Sequence, residues 1–128
     1  MALEKGILRT FTVVPALPDS LLSLRDLAYN FWWCWNAEAF ELFRRLDPDT
    51  WEEVNHNPVR LLGEVDQELI DKASKDDGYV AAVNRVKQGL DEYMSGRTWF
   101  DTTYPEHKNT RVAYFTAEFG LNECLPIY

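Results

Sequence analysis

The chain has 128 residues, enough for one domain, and its 46% hydrophobic and 27% charged residues are typical of a globular protein rather than a disordered one. Thirteen basic and twenty-one acidic residues give a net charge of −8, which argues against binding to nucleic acid or to an anionic membrane. No apolar run approaches the roughly 20 residues that span a bilayer, and residues 1–6 lack the layout of a signal peptide. We therefore expect a cytoplasmic protein.

The N-terminal stretch, residues 7–15, is rich in β-branched residues and ends at a proline, which predicts a short strand or an extended arm. Asp19 or Ser20 can then cap a helix. Apolar residues continue at helical steps of 3, 4, 3 and 4, which predicts one buried helix face: Leu21, Leu24, Ala28, Phe31 and Trp35. Trp32 and Trp33 fall on the other sides of that turn, so we expect neighbouring elements to enclose it.

The next helices are marked by side chains that can cap them. Asn36 is expected to cap a helix over 37–46, because its side-chain oxygen can accept hydrogen bonds from the first backbone amides. Asp47 and Asn57 each precede a proline, a residue that suits the first position of a helix, so each opens a short helix.

Two longer periodic stretches follow. Residues 66–76 are predicted to form a helix that directs Leu69, Ile70 and Ala73 inward. Residues 79–95 have the most regular spacing in the chain, and their inward side chains are Tyr79, Val83, Val86, Leu90 and Tyr93. We therefore predict a mainly α protein, in which residues 1–96 form a helical bundle with a short N-terminal strand or arm.

The C-terminal part has a different pattern. Residues 97–109 are polar and rich in turn formers, which predicts a linker. The nearly continuous apolar run 111–118 is typical of a strand buried on both faces in a parallel α/β sheet. Such a strand needs neighbours that this chain does not supply, so we expect residues 110–128 to be the truncated start of a second, larger domain. The alternative is an edge strand paired with residues 7–15.

Glu118 is the first candidate for chemistry. It lies at the carboxyl end of the predicted strand, which is where ligands bind in open α/β sheets, and its carboxylate can orient a substrate hydroxyl. The alternative is a solvated or helix-capping glutamate. The aromatic cluster at 31–36 is either a sugar-stacking platform or a plug in the core. Its helical spacing favours the plug, and Trp51 and Trp99 are interpreted in the same way.

The remaining candidates predict no metal site and no complete catalytic set. His56 and His107 have no partners at the short spacing of metal ligands. Cys34 and Cys124 lie 90 positions apart, a spacing that fits neither a metal site nor a redox motif. We therefore expect two reduced thiols.

Two blocks of sequence carry a family resemblance. The first comprises RTFTVVP at 9–15, LAYNFWW at 27–33, WN at 35–36 and NPV at 57–59. The second comprises RVAYFTAEFGL at 111–121 and LPIY at 125–128. Together they resemble the bacterial and archaeal α-glucan (glycogen and maltodextrin) phosphorylases. The first block is similar to the helical N-terminal domain of those enzymes, and the C-terminal block is similar to the first strand of their catalytic domain.

The resemblance implies a glycosyltransferase that phosphorolyses terminal α-1,4-glucosidic bonds to glucose 1-phosphate. It implies two Rossmann-like domains in the full-length enzyme, pyridoxal phosphate as its cofactor, and α-glucan and phosphate as its partners. Glu118 matches a family glutamate that lines the catalytic cleft, and Thr116 matches the serine or threonine two positions before it. The cofactor lysine and the phosphate-binding residues lie outside this chain, so we expect the isolated chain to bind no cofactor and to be inactive.

Two other functions stay open. The helical residues can serve as a non-catalytic interaction or assembly module, which packs on the remainder of the catalytic domain or joins subunits in a homo-oligomer. Alternatively, exposed tryptophans can make them a glucan-binding module.

Overall fold

The computed structural model describes residues 14–107, 109–116, 118 and 120–125. Within this part of the chain the α-helices are α1 Ser23–Ala28, α2 Ala37–Leu46, α3 Pro48–Glu53, α4 Pro58–Glu64, α5 Gln67–Ser74, α6 Asp77–Ser95 and α7 Trp99–Thr103. Short 3-10 helices are Asp19–Leu21, Phe31–Trp35 and Pro105–His107. The described residues contain no strand, so the prediction of a mainly α fold is confirmed.

The core is one cluster of apolar side chains to which α1–α6 all contribute. The 19-residue α6 packs against α1, α2 and α5 and directs five side chains into the cluster: Tyr79, Ala82, Val83, Val86 and Leu90. The Tyr79 hydroxyl donates a hydrogen bond to the Leu42 carbonyl at 2.9 Å, so its polar end is satisfied inside the core. Tyr93, which is predicted to face inward, is 59% exposed, although its ring lies 6.3 Å from that of Trp32.

Predicted caps open three of the helices. The side chain of Asn36 accepts a hydrogen bond from the Ala39 amide at 2.9 Å, and that of Asp47 accepts one from the Thr50 amide at 3.2 Å. Asn57 accepts two, from the first amides of α4, at 3.1 and 3.0 Å. These bonds satisfy backbone donors that have no partner within the helix, which is why each start falls where the sequence predicted it.

The prediction for the first helix is wrong about where the helix starts and about how long it is. α1 begins after Leu22 without a side-chain cap, so neither Asp19 nor Ser20 caps it. α1 also ends before Asn30, whose side chain accepts a hydrogen bond from the Trp32 amide at 3.0 Å. That bond opens the 3-10 helix Phe31–Trp35, which we call the tryptophan turn.

The tighter winding of the tryptophan turn changes which rings face the core. A 3-10 helix has about three residues per turn instead of 3.6, so the predicted stripe does not continue through it. Trp32 and Trp33 are 8% and 1% exposed, whereas Trp35, which was predicted to be buried, is 64% exposed. Phe31 is only partly buried.

The segment predicted as a linker, 97–109, contains local structure. α7 begins with a reciprocal capping box, in which the Thr98 side chain bonds the Asp101 amide and the Asp101 carboxylate bonds the Thr98 amide. This pair of hydrogen bonds stabilises a single helical turn without any buried residue. The proposed domain boundaries at 96 and 110 stay predictions.

No strand is formed at the described residues of the predicted strand, which are 111–116 and 118. Residues 111–116 have no strand pairing, and Val112 and Phe115 are 90% and 92% exposed. A strand needs a neighbour to pair its backbone, and the described residues provide none beside this run. Of the predicted N-terminal strand or arm, residues 7–13 lie outside the described part of the chain, and residues 14–15 have no strand pairing.

We predict that Asn57→Ala lowers the free energy of unfolding by about 1 kcal/mol, because two amides of α4 lose their acceptor. Urea unfolding followed by circular dichroism measures this change. Asp66→Ala is the matched control, since Asp66 precedes α5 but makes no capping hydrogen bond. Its effect should stay within about 0.5 kcal/mol. Equal losses in the two variants would contradict the capping argument.

Candidate functional site

The two residues predicted to line a substrate cleft lie at one exposed turn. The backbone amide of Glu118 donates a hydrogen bond to the Thr116 hydroxyl at 3.1 Å, and both residues are exposed. This local bond holds Thr116 and Glu118 in one turn, which is the arrangement that their spacing allows. The turn presents a carboxylate to solvent, where its oxygens can accept hydrogen bonds.

A second cluster surrounds His56, which sequence spacing did not single out. Nε2 of its ring lies 3.1 Å from Oε1 of Glu52, and Nδ1 contacts Oε1 of Glu123. The His56 side chain is only 20% exposed, whereas the two carboxylates are 70% and 61% exposed. We call these three residues the histidine node. It joins the end of α3 to a residue 67 positions further along the chain.

Aromatic rings enclose the buried side of the histidine node. The His56 ring lies 5.2 Å from that of Trp51 and 5.7 Å from that of Phe40, measured between centroids. Trp51 in turn stacks on Phe43 at 5.9 Å and meets Trp33 edge-on at 6.0 Å. The imidazole therefore has an apolar wall on one side and carboxylates on the other, a setting that strengthens its electrostatic interactions.

The backbone at the end of α3 explains how His56 reaches this position. The His56 amide bonds the Trp51 carbonyl at 3.0 Å and the Asn55 amide bonds the Glu52 carbonyl at 3.1 Å, which together form a Schellman motif. Asn55 and His56 both have positive φ, at 52° and 56°. Asparagine and histidine both occur in this region more often than most residues, although for any residue other than glycine it costs about 1–3 kcal/mol. The surrounding contacts therefore hold His56 in a strained conformation.

The protonation state of His56 follows from its partners. Burial lowers the pKa of His56, but the close contacts and charges of Glu123 and Glu52 outweigh that effect, so its pKa is raised overall. An ionised carboxylate can only accept hydrogen bonds. Because a carboxylate faces each nitrogen of the His56 ring, the form with a proton on both nitrogens is favoured. Nε2 has no hydrogen-bond partner in the structure, so the contact with Glu52 is an ion pair.

The histidine node has the wrong geometry for a metal ion. Glu52 and Glu123 face opposite nitrogens of the His56 ring, so the three side chains do not converge on one point. Across the described ranges there is no group of three or more histidine, cysteine or acidic side chains that is arranged to hold a metal.

The two cysteines are free thiols that lie near each other. Cys34 belongs to the tryptophan turn, and Cys124, which follows Glu123, packs against the core. Burial raises the pKa of both thiols, and the proximity of Cys34 raises that of Cys124 further. Both side chains therefore stay protonated and uncharged near neutral pH.

The tryptophans divide into a buried and an exposed group. The interpretation as core residues is confirmed for Trp32, Trp33 and Trp51, which are at most 8% exposed. It is wrong for Trp35 and Trp99, which are 64% and 72% exposed. Trp35 lines an open cavity of about 290 Å³ together with Cys34, Asn36, Ala37, Phe40 and Glu41.

Comparison with known proteins places this helical fold in a family. A model described as "Protein of unknown function (DUF3417)" matches residues 17–125, so the chain belongs to that family. The chain is 41% identical to a maltodextrin phosphorylase of Thermococcus litoralis over 88% of its length. It is 35% identical to a glycogen phosphorylase of Mycobacterium tuberculosis over 94%, and 34% identical to one of Aquifex aeolicus over 82%.

These matches confirm the resemblance to glycogen and maltodextrin phosphorylases. They cover 13%, 15% and 14% of the three relatives, so the chain spans only about a seventh of their length. No solved structure is significantly similar to the chain. None of the helices in the described residues combines the length and the apolar character that crossing a bilayer requires.

We predict that Trp33→Ala lowers the free energy of unfolding by about 3–5 kcal/mol, because a buried indole leaves a cavity in the core. Trp35→Ala, in the same turn, should cost less than about 1 kcal/mol, because its ring already faces solvent. Denaturant unfolding of the two variants measures the difference. Similar losses would contradict the assignment of Trp33 to the core and of Trp35 to the surface.

Proposed function

We propose that this chain is the N-terminal part of an α-glucan phosphorylase, a glycosyltransferase that uses phosphate to release glucose 1-phosphate from terminal α-1,4-glucosidic bonds. The observation that carries the proposal is the 34–41% identity to proteins named maltodextrin or glycogen phosphorylase. One of these matches includes 94% of the chain, so it takes in the predicted strand as well as the helices. We further propose that the whole enzyme acts in the cytoplasm.

In this proposal residues 1–96 are the helical domain, 97–109 the linker and 110–128 the first part of the catalytic domain. The exposure of Val112 and Phe115 supports the arrangement, because a neighbouring sheet would remove these apolar side chains from water. The remainder of the catalytic domain is then a partner of this chain, and the helical domain is also available for contacts in a homo-oligomer.

Glu118 and Thr116 have distinct roles in the proposed cleft. The Glu118 carboxylate accepts a hydrogen bond from a glucose hydroxyl and so orients the sugar. Thr116 is a positioning residue, since its hydroxyl accepts the Glu118 amide at 3.1 Å and shapes the turn that carries the carboxylate. Neither residue breaks a bond, so the chain alone is expected to be inactive.

Pyridoxal phosphate is the cofactor that we propose for the whole enzyme, where its phosphate group supplies acid–base chemistry. The described residues do not fit it. Lys72 and Arg45 line a cavity of about 480 Å³, but its wall also carries three carboxylates that repel a phosphate and outnumber the two cations: Asp47, Asp49 and Asp76. Lys87 is held by Asp91, with Nζ 2.6 Å from a carboxylate oxygen. No catalytic step passes through these lysines.

In the protein expressed from the complete reading frame, Glu118→Gln should lower kcat/KM for maltodextrin phosphorolysis about 10- to 150-fold. This range corresponds to the loss of about 1.5–3 kcal/mol for a hydrogen bond to a charged group. Release of glucose 1-phosphate from maltodextrin and phosphate measures the rate. Glu106→Gln, an exposed residue of the linker, is the control and should not change the rate.

These measurements test the proposed phosphorylase function and the proposed role of Glu118 separately. A complete protein that releases no glucose 1-phosphate under these conditions would overturn the proposed function. A Glu118→Gln variant with undiminished kcat/KM would overturn only the role given to Glu118. Phosphorolysis by the purified 128-residue chain would contradict the expected inactivity of the isolated chain.

A second function, glucan binding by the helical domain, is favoured by the exposure of Trp35. Its indole is 64% exposed at an open cavity that also offers the polar side chains of Asn36 and Glu41. An exposed ring beside hydrogen-bonding groups is a surface on which a sugar can stack. Trp99 is equally exposed but packs edge-on against Tyr104 at 5.9 Å, outside this cavity.

If this second function holds, maltoheptaose should change the tryptophan fluorescence of the chain in a saturable titration. Trp35→Ala should abolish the change, because the stacking ring is lost, whereas Trp99→Ala should preserve it. If maltoheptaose did not change the fluorescence of the unaltered chain, the proposed glucan binding would be contradicted. A fluorescence change of the same size in Trp35→Ala would also contradict it.

A further inference from the structure

The strongest unassigned feature is the contact between the histidine node and the C-terminal turn. In that turn Asn122 accepts the Cys124 amide through its side chain and the Leu125 amide through its carbonyl, both at 3.0 Å. Cys124 packs against the core, and Glu123 reaches the His56 ring. The turn is therefore docked on the helices, whereas Leu121 immediately before it is 70% exposed.

The charges around His56 favour this docking. Glu52 comes from α3 and Glu123 from the C-terminal turn, so two carboxylates face one ring. Arg44 of α2 lies near Glu52, as the effect of that carboxylate on the pKa of Arg44 indicates. Phe40 of α2 adds an uncharged ring. A neutral imidazole would leave the carboxylates facing each other without a cation between them, so the charged ring is what joins them.

The thiols beside the node add packing but no charge. Cys124 of the turn and Cys34 of the tryptophan turn both have raised pKa values, so neither is a thiolate near neutral pH. Attraction between His56 and the turn therefore depends on Glu123, and the apolar contact of Cys124 sets where the turn lies.

The docking also limits where the proposed cleft residue can lie. Glu118 precedes Glu123 by five residues, and a fully extended chain of five residues spans at most about 18 Å. Fixing Glu123 on the helices therefore keeps Glu118 within about 18 Å of the histidine node.

We propose that His56, in its charged form, is a latch that holds the turn at 122–125 on the helical domain and thereby limits how far Glu118 can lie from that domain. The latch itself is independent of any enzymatic activity, whereas its consequence for the cleft rests on the proposed function. His56 is a positioning residue in this scheme, because it acts through Glu123 and does not touch substrate.

The latch should be engaged in mildly acidic solution and released in alkaline solution. The folded pKa of His56 is raised above the ordinary value of about 6.5, so the charged form gains stability from the node. That gain is fully present below the ordinary pKa and is lost as the pH rises through the raised value. Hydrogen exchange of the Cys124 and Leu125 amides, corrected for intrinsic rates, reports the docked state at each pH.

In the 128-residue chain, Glu123→Gln and His56→Gln should each increase the exchange rates of these two amides about fivefold at pH 6, while amides in α6 keep their protection. Glu106→Gln is the matched control, because Glu106 lies beside the other histidine, with 3.8 Å between its Oε1 and Nε2 of His107. It should leave both rates unchanged. Exchange should accelerate with pH in the unaltered chain and not in His56→Gln.

The latch would be overturned if the Cys124 and Leu125 amides exchanged at unchanged rates in both variants. It would also be overturned if their exchange rates still rose with pH in His56→Gln. A general loss of protection that includes α6 would indicate a purely structural role for His56 and would also count against the latch. Phosphorolysis of maltodextrin by the complete protein tests the proposed function separately. The exchange result stands whether or not that activity is found.

Discussion

The structure depends on the close packing of three aromatic rings: Trp33, Phe43 and Trp51. All three are at most 1% exposed, and Trp51 contacts both others at centroid distances of about 6 Å. They come from the tryptophan turn, α2 and α3, three short elements that could not be stable alone. Burying such rings stabilises the fold by roughly 25 cal/mol for each Å² removed from water, so these contacts hold the elements in one arrangement.

The same packing creates the histidine node. Because Trp51 is fixed in the core, the Schellman motif at the end of α3 has only one orientation, and the His56 ring is placed against Trp51 and Phe40. The apolar wall raises the importance of each charge on the open side, where Glu52 and Glu123 lie. A core contact thus decides which long-range partner an exposed turn can reach.

Local signals in the sequence predicted much of this fold and little of the node. The caps at Asn36, Asp47 and Asn57 depend on hydrogen bonds within three residues, so their positions were predictable. The register after Asn30 was not, because a side-chain hydrogen bond there starts a 3-10 helix that periodicity does not reveal. Likewise, a strand at 111–118 depends on neighbours that no local pattern supplies. The four-residue spacing of Glu52 and His56 was a usable signal, whereas the contact with Glu123 arises only from tertiary folding.

The positive φ of His56 sets two demands on one residue that no amino acid meets together. Glycine would relax the backbone there but would remove the ring, and histidine is the only residue whose side chain ordinarily titrates near neutrality. Greater stability at this position therefore comes only with loss of the link between α3 and the C-terminal turn. Replacement of His56 by glycine in a variant selected for heat resistance alone would be a trade-off of this kind.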